Sequence, residues 1–384
     1  MSHSLAMVST YPPTQCGIAT FARSLMGSMN QLGQNVRILR LNDGAVGPTG
    51  TVVLGEHRSS EDVVRSAQIL NGHDAVILQH EFGIYSGDDG HDVIPLLSAV
   101  SRPVISILHT VTERPTLRQR RILQGIIHGS NAVVTLSNSA LEALIRTYDV
   151  DRDRAYVIPH GAPDVRGSFR PHTIRMRPRI LTWGLLSEGK GIEWGIAAMA
   201  LLKDVDPMPD YYVVGQTHPK VLARDGHKYR RELGALAGKL GVADRIHFVD
   251  GYLDNSSLAR LITSADMYLL PYDNDEQVTS GVLAEAMVAG GPVIATRFPH
   301  AVEMLGDGSG ILVKHRNPTA IAEAIRSLIR NAELRRHMRD KTAAKANAFL
   351  WPSVGAAMAT LTNAVLREAA VPRLVDYETA QVSA

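Results

Sequence analysis

At 384 residues, with 45% hydrophobic and 20% charged side chains, the chain has the composition of a soluble globular protein with room for two cores of ordinary size. The 40 Lys and Arg against 38 Asp and Glu leave a formal charge of +2, which gives no basis for nucleic acid as a main partner. The single cysteine, Cys16, excludes an internal disulfide, and no apolar run approaches the ~20 residues of a membrane span. The opening MSHSLAMVSTYPP is strand-like and lacks the regions of a signal peptide, so a cytoplasmic location is expected.

Through the first half, short apolar runs alternate with helical patterns. Strands are expected at Leu5–Ser9, Val36–Leu41, Ala75–Gln79, Val104–Leu108, Ala132–Leu136 and Ala155–Ile158. Between them, segments such as Ile18–Gln31 and Ser139–Thr147 carry apolar residues at three- and four-residue spacing. Continuous apolar strands separated by helices imply a parallel sheet covered on both faces. Residues 164–178, rich in proline and arginine, read as a linker. The alternation then repeats, with strands at Ile180–Trp183, Tyr211–Val214, Ile246–Val249, Met267–Leu270, Pro292–Ala295 and Ile311–Val313. Helices follow near Pro318–Arg330 and Ala332–Phe349, the second rich in charge. A last helix, 353–371, shows Val354, Met358, Leu361 and Val365 on one face, and the tail beyond Pro372 is expected to be loose. The expected fold is α/β: two Rossmann-like domains, 1–163 and 179–352, facing each other over a cleft.

The most informative stretch runs from Pro271 to Thr296. It leaves a strand, crosses a polar loop and enters a helix near Ser280. A helix start at the carboxyl edge of a parallel sheet offers unpaired N–H groups to phosphates or sugar hydroxyls. Glu285, about a turn inside, has a carboxylate suited to a diol such as a ribose. The loop GLLSEGKG at 184–191 places Lys190 between two glycines at another strand-to-helix turn, where it can neutralise a diphosphate; a surface lysine on an ordinary turn is the alternative. The first such loop ends at Gly17 without the G-x-G-x-x-G fingerprint, against a dinucleotide site. Cys16 in that loop is expected to be a small buried residue. His80 and His109 fall at strand ends on the same rim. A metal set drawn from His80, Asp88, Asp89, His91 and Asp92 fits no standard spacing, and a solvated flexible loop is expected there. Arg114, Arg118, Arg120 and Arg121 lie on an expected helix with Leu117, Ile122 and Ile126 on its other face. That pattern is either a solvated face or a contact for anionic lipid headgroups.

Taken together, GIATFARSL, LQHEFGIYSG, ILHT, VIPHG, TWGLLSEGKGIE, SADMYLLPY and QVTSGVLAEAMVAGGPVIAT resemble, in this order, a retaining glycosyltransferase of family 4 with the GT-B fold, in its bacterial mannosyltransferase-like branch. The resemblance implies a nucleoside diphosphate sugar as donor, GDP-mannose favoured, a glycan, glycolipid or small-molecule acceptor, and neither metal nor other cofactor. It places His109, Lys190 and Gln277 at the reacting centre. Gly17, Gly184, Thr279, Ser280, Gly281, Val282 and Glu285 would join Lys190 around the donor, with Glu285 on the ribose. Gln79, His80 and Glu81 would line the acceptor side, and the last helix would cross back onto the first domain. Two departures stand out. Gln277, with Glu276 beside it, occupies a position where many members have a carboxylate, and Leu185 one where many have an arginine. A phosphorylase or epimerase on the same fold, and a non-catalytic sugar-nucleotide binder, are the alternative functions.

Overall fold

The computed structural model describes residues 3–42, 52–55, 59–166 and 176–370. Within them, Ser4–Ser9 (β1), Asn35–Leu41 (β2), Val52–Leu54 (β3), Ala75–His80 (β4), Val104–Leu108 (β5), Ala132–Thr135 (β6) and Ala155–Val157 (β7) form one parallel sheet in the order β3-β2-β1-β4-β5-β6-β7. A second parallel sheet, in the order β10-β9-β8-β11-β12-β13, contains Arg179–Trp183 (β8), Asp210–Val214 (β9), Ile246–Val249 (β10), Met267–Leu270 (β11), Val293–Thr296 (β12) and Gly310–Val313 (β13). Strand β3 was not expected from the sequence: three residues, two of them exposed, carry no pattern. The expected linker lies mostly outside the described residues, as does the tail beyond Pro372.

Strand periodicity distributes each sheet's apolar residues to two helical layers. In the first sheet Met7, Ile77 and Ile105 pack with the helix Gly17–Gln31, whereas Val8, Leu78 and Val104 pack with Ile122, Ile126 and Leu144. The helix Trp351–Ala370 starts two residues earlier than expected, with Pro352 in the first turn, where a missing N–H costs nothing. It returns to the first sheet, where Val354, Met358 and Leu361 join the layer of Phe21 and Leu25. A Cβ on Gly355 would lie 2.3 Å from Ser28 Oγ, so the two helices touch through the glycine.

Each sheet has one switch point, where successive strands leave in opposite directions: between β1 and β4, and between β8 and β11. Open parallel sheets bind ligands beyond the carboxyl ends of the strands at such points. The loops there are those the sequence singled out: 10–16 and 81–85 on one sheet, 184–191 and 271–280 on the other.

Side chains from the two sheets meet across the cleft. Glu303, on the helix Pro299–Leu305, accepts from the backbone N–H groups of Asn138 (2.9 Å) and Ser139 (2.8 Å), and from both their side chains, at the start of the helix Asn138–Thr147. The helix dipole and four donors hold its carboxyl below the usual range against the effect of burial. Ser137 donates to the Val278 carbonyl, Lys220 Nζ to the Gly83 carbonyl (2.6 Å), and Gln216 to Gln15 (2.7 Å). Glu303→Ala removes four bonds to a partly buried charge, and is expected to cost about 1–3 kcal/mol in urea unfolding at neutral pH.

Candidate functional site

The helix Gly281–Ala289 is the centre of the site. Ser280 is its N-cap, its Oγ accepting from the Leu283 N–H (3.2 Å), and Gly290 closes it in the left-handed conformation (φ 71°). The Ser280 N–H donates to His300 Nδ1 (2.9 Å), and the His300 N–H to the Gln277 carbonyl (3.3 Å), so His300 fixes the entry loop at both ends. His300 is 2% exposed, and burial pulls its ring down to about 4. Among the described residues, no acceptor meets the N–H groups of Gly281 and Val282. These two donors, at the positive end of the helix, are available to an anion.

Glu285 lies one turn further on and accepts from Trp183 Nε1 (2.6 Å); burial raises its carboxyl above the ordinary value. Lys190 ends the turn after β8. Its Nζ stands 4.4 Å from the ring centroid of Tyr272, and burial lowers its ammonium to about 8. The Asp273 N–H donates to the Gly189 carbonyl (2.9 Å), joining the lysine loop to the loop after β11. The fit there requires glycine: at Gly191 φ is 64°, and a Cβ would lie 1.9 Å from the Pro271 carbonyl oxygen. Gly191→Ala is therefore expected to destabilise the protein by about 2–4 kcal/mol, measurable as a lowered denaturation midpoint. Gly184 (φ 116°) and Gly215 (φ 134°) touch in the same way, a Cβ on Gly215 falling 2.0 Å from the Gly184 oxygen. Gly184 also lies close to Val282.

The first sheet brings His109 to this place. His109 Nε2 lies 2.7 Å from Gln79 Oε1, with the ring donating, which leaves Nδ1 as an acceptor. Burial, with His160 and His80 nearby, pushes His109 down to about 3, so it is neutral at physiological pH. Phe21 makes edge contacts with both His109 (4.8 Å) and His160 (5.0 Å). The His160 ring lies against Gly281, where a Cβ would come within 2.7 Å of Nε2. His160 and His300 are thus site residues that the sequence did not single out. His160 sits in VIPHG, one of the stretches of the resemblance; His300 lies in no recognised stretch.

Several expectations need correction. Gln79 and His80 are both 0% exposed, so neither lines an open acceptor surface. Gln79 supports His109 from behind, and His80 packs against Phe82 and Tyr85 with no partner on either ring nitrogen among the described residues. Only Glu81 of the three is at the surface, its carboxylate accepting from the Gly83 N–H (2.8 Å). Gln277 donates to the Thr279 carbonyl (3.1 Å), and Thr279 Oγ1 is buried without a partner among the described residues. Glu276 accepts from Thr112 and Arg114 across the cleft. Cys16, partly exposed, caps the helix starting at Gly17, its Sγ accepting from the Ala19 N–H (3.3 Å). The 88–92 segment folds into a 3₁₀ turn, Asp88–Gly90, tied to Arg118 (2.9 Å to Asp88). No group of three His, Cys, Asp or Glu suited to a metal occurs among the described residues.

The arginine run also differs. Its helix spans Leu117–His128, so Arg114 precedes it and pairs with Asp275 and Glu276. Arg120 donates to the Thr147 carbonyl and sits over Tyr148. Ile122 and Ile126 are buried as expected, but Leu117 is 76% exposed. No described helix is long and apolar enough to cross a membrane.

Two Rossmann-like parallel sheets, with their switch-point loops meeting across a cleft and a last helix crossing back, define the GT-B class of fold. In tandem, the chain matches the description Glycosyltransferase Family 4 over residues 16–166 and Glycosyl transferases group 1 over residues 167–345. It is 28% identical over 286 residues to the D-inositol 3-phosphate glycosyltransferase of Corynebacterium glutamicum (strain R), the match covering 68% of this chain and 66% of the relative, just under two thirds of its length. Among solved structures it is similar to a glycosyltransferase from Rickettsia africae ESF-5 (TM-score 0.77, 16% identity, 96% of this chain and 100% of the other). It is also similar to HepE from Anabaena in complex with UDP and glucose (TM-score 0.75, 16% identity, 94% and 100%).

Proposed function

We propose that this chain is a retaining glycosyltransferase that moves a hexosyl group from a nucleoside diphosphate sugar to a hydroxyl acceptor without a metal. The carrying observation is the pair of N–H groups at Gly281 and Val282, beside Lys190 and Glu285, at one switch point. In this account Lys190 and the helix start bind the diphosphate and stabilise it as it departs, and Glu285 holds the ribose. Neutral His109 faces the donor sugar and accepts from its hydroxyls through Nδ1. The sugar–phosphate bond breaks as the acceptor oxygen bonds to the anomeric carbon from the same face. The acceptor's proton passes to the leaving phosphate oxygen. Closure across the Glu303 and Gln216 contacts would limit hydrolysis of the donor.

GDP-mannose remains the favoured donor, as the resemblance implies. The similar corynebacterial protein makes an inositol phosphate a natural first acceptor, alongside glycans and glycolipids. Peripheral contact with an anionic membrane would fall to Arg121 and exposed Leu117, since Arg114, Arg118 and Arg120 have partners within the chain. The test is transfer from GDP-mannose, UDP-glucose and related donors to an acceptor panel in EDTA, with the product's anomeric configuration read by NMR. Transfer with retention is expected. Donor binding without transfer to any acceptor favours a non-catalytic binder, the second reading, to which the turned-back Gln277 amide and the apolar Leu185 lend support. Donor cleavage that requires inorganic phosphate would point to a phosphorylase.

A further inference from the structure

We infer that Tyr272 is a positioning residue that holds the Lys190 ammonium ready for a diphosphate, its ring standing where a counter-ion would otherwise be; this rests on the donor-site assignment above. Strand β11 ends at Leu270, and Pro271 turns the chain so that Tyr272 enters the interior, 1% exposed. Its ring stacks on Phe298 (centroids 5.3 Å, planes 24° apart). Its carbonyl accepts from Thr296 Oγ1 (2.6 Å) and lies 2.8 Å from His315 Nδ1, so the backbone is clamped as well. Over this fixed ring stands Lys190 Nζ, at 4.4 Å from the centroid, within the range of a cation–π contact.

Lys190 makes no ion pair among the described residues, and burial is the cause that lowers its ammonium. Lys190 is partly buried, and a cation that loses part of its hydration gives up its proton more readily unless something replaces that hydration. A carboxylate would do so, but it would also repel an incoming diphosphate and compete with it for the ammonium. An aromatic face steadies the cation without carrying negative charge. The phenol end of the same side chain lies beside Ser280, so Tyr272 touches both halves of the anion site, the lysine and the helix cap. The other charged and titratable groups around this place are engaged or more distant. Asp273 pairs with Arg316, Glu193 accepts from Tyr229 and Glu285 accepts from Trp183. Lys220 is on the Gly83 carbonyl, His218 accepts from the Lys220 N–H, Glu81 is on the Gly83 N–H, and Glu188 is exposed in the lysine's own loop.

The experiment is calorimetric titration of the full chain with GDP and with UDP in EDTA, across the pH range around the lysine's transition, for wild type, Tyr272→Phe, Tyr272→Leu, Tyr272→Met and Lys190→Ala. Wild-type binding is expected to weaken as pH rises through about 8. Tyr272→Phe, which keeps the ring, should hold that midpoint and stay within about threefold in affinity. Tyr272→Leu should move the midpoint down by about one unit, which weakens binding about twofold at about pH 7 and about tenfold at about pH 9, above both midpoints. Tyr272→Met, unbranched and without a π face, should do the same and serves if the leucine variant does not fold. Aliphatic variants with the wild-type midpoint and affinity would overturn the inference. Lys190→Ala binding like wild type would instead overturn the donor-site assignment.

Discussion

Lys190→Ala is expected to lower kcat/KM for transfer by about 10²–10³-fold, the loss typical of removing one preorganised donor to a developing negative charge, or about 3–4 kcal/mol. Lys190 is the cation that the loop after β8 brings to the site, because Leu185 carries no charge. The effect should fall on both KM and kcat, since Lys190 binds the diphosphate in the ground state and meets the charge it gains as the sugar departs. Lys190→Arg should recover only part of it: the pocket is shaped by Gly191 against Pro271 and by the Tyr272 ring, and a planar fork does not superpose on a point charge. In wild type the transferase rate should decline as pH rises through about 8, where the ammonium is lost. Steady-state kinetics across pH on both variants checks each part.

The second large effect is acid lability. His80 and His300 are buried, and burial lowers them to about 3 and about 4. In the unfolded chain each returns to the ordinary value of 6.5. For a base whose folded pKa is depressed, the unfolded state takes up protons first as pH falls. The stabilisation is therefore complete above 6.5 and is lost progressively toward about 4. Two such groups give a slope of roughly 2 kcal/mol per pH unit between about pH 6 and 5. Glu303 beside His300 moderates its share, as the carboxylate favours the protonated ring. His80→Leu should flatten the urea-unfolding midpoint between about pH 6.5 and 5; a wild-type midpoint that is level across this interval would contradict the burial argument. His109 and His160, also pulled down, should add to the same slope.

Much of the framework is legible in the sequence because it is local. Val104–Leu108, Ile246–Val249 and Met267–Leu270 are mostly apolar runs between polar turns, and each forms the strand expected at its own bounds. Ser280 is readable as a helix start because its hydroxyl caps a position three residues on. What is not legible is set by partners far along the chain. Glu303 acts on Asn138 and Ser139, some 165 and 164 positions away, and nothing near residue 303 announces it. Gln79 and His80 sit at a strand end, which places them on the rim but not in front of it; the inward side is decided by the packing of Tyr85, Phe82 and His109. The arginines of 114–121 look like one helical patch, and the structure divides them because acidic residues from two other segments, 88–89 and 275–276, claim Arg118 and Arg114. Tyr272, two residues past a strand, reads as ordinary core until Lys190 is seen above its ring.

The central claim, a nucleoside diphosphate held by Lys190 and the start of the Gly281–Ala289 helix, is tested most directly by calorimetric titration of the wild-type chain with GDP, UDP and ADP in EDTA, repeated on Lys190→Ala. The account predicts that at least one nucleotide binds without metal and that the variant loses this binding; no binding of any nucleotide, or binding that is unchanged in the variant, would contradict it.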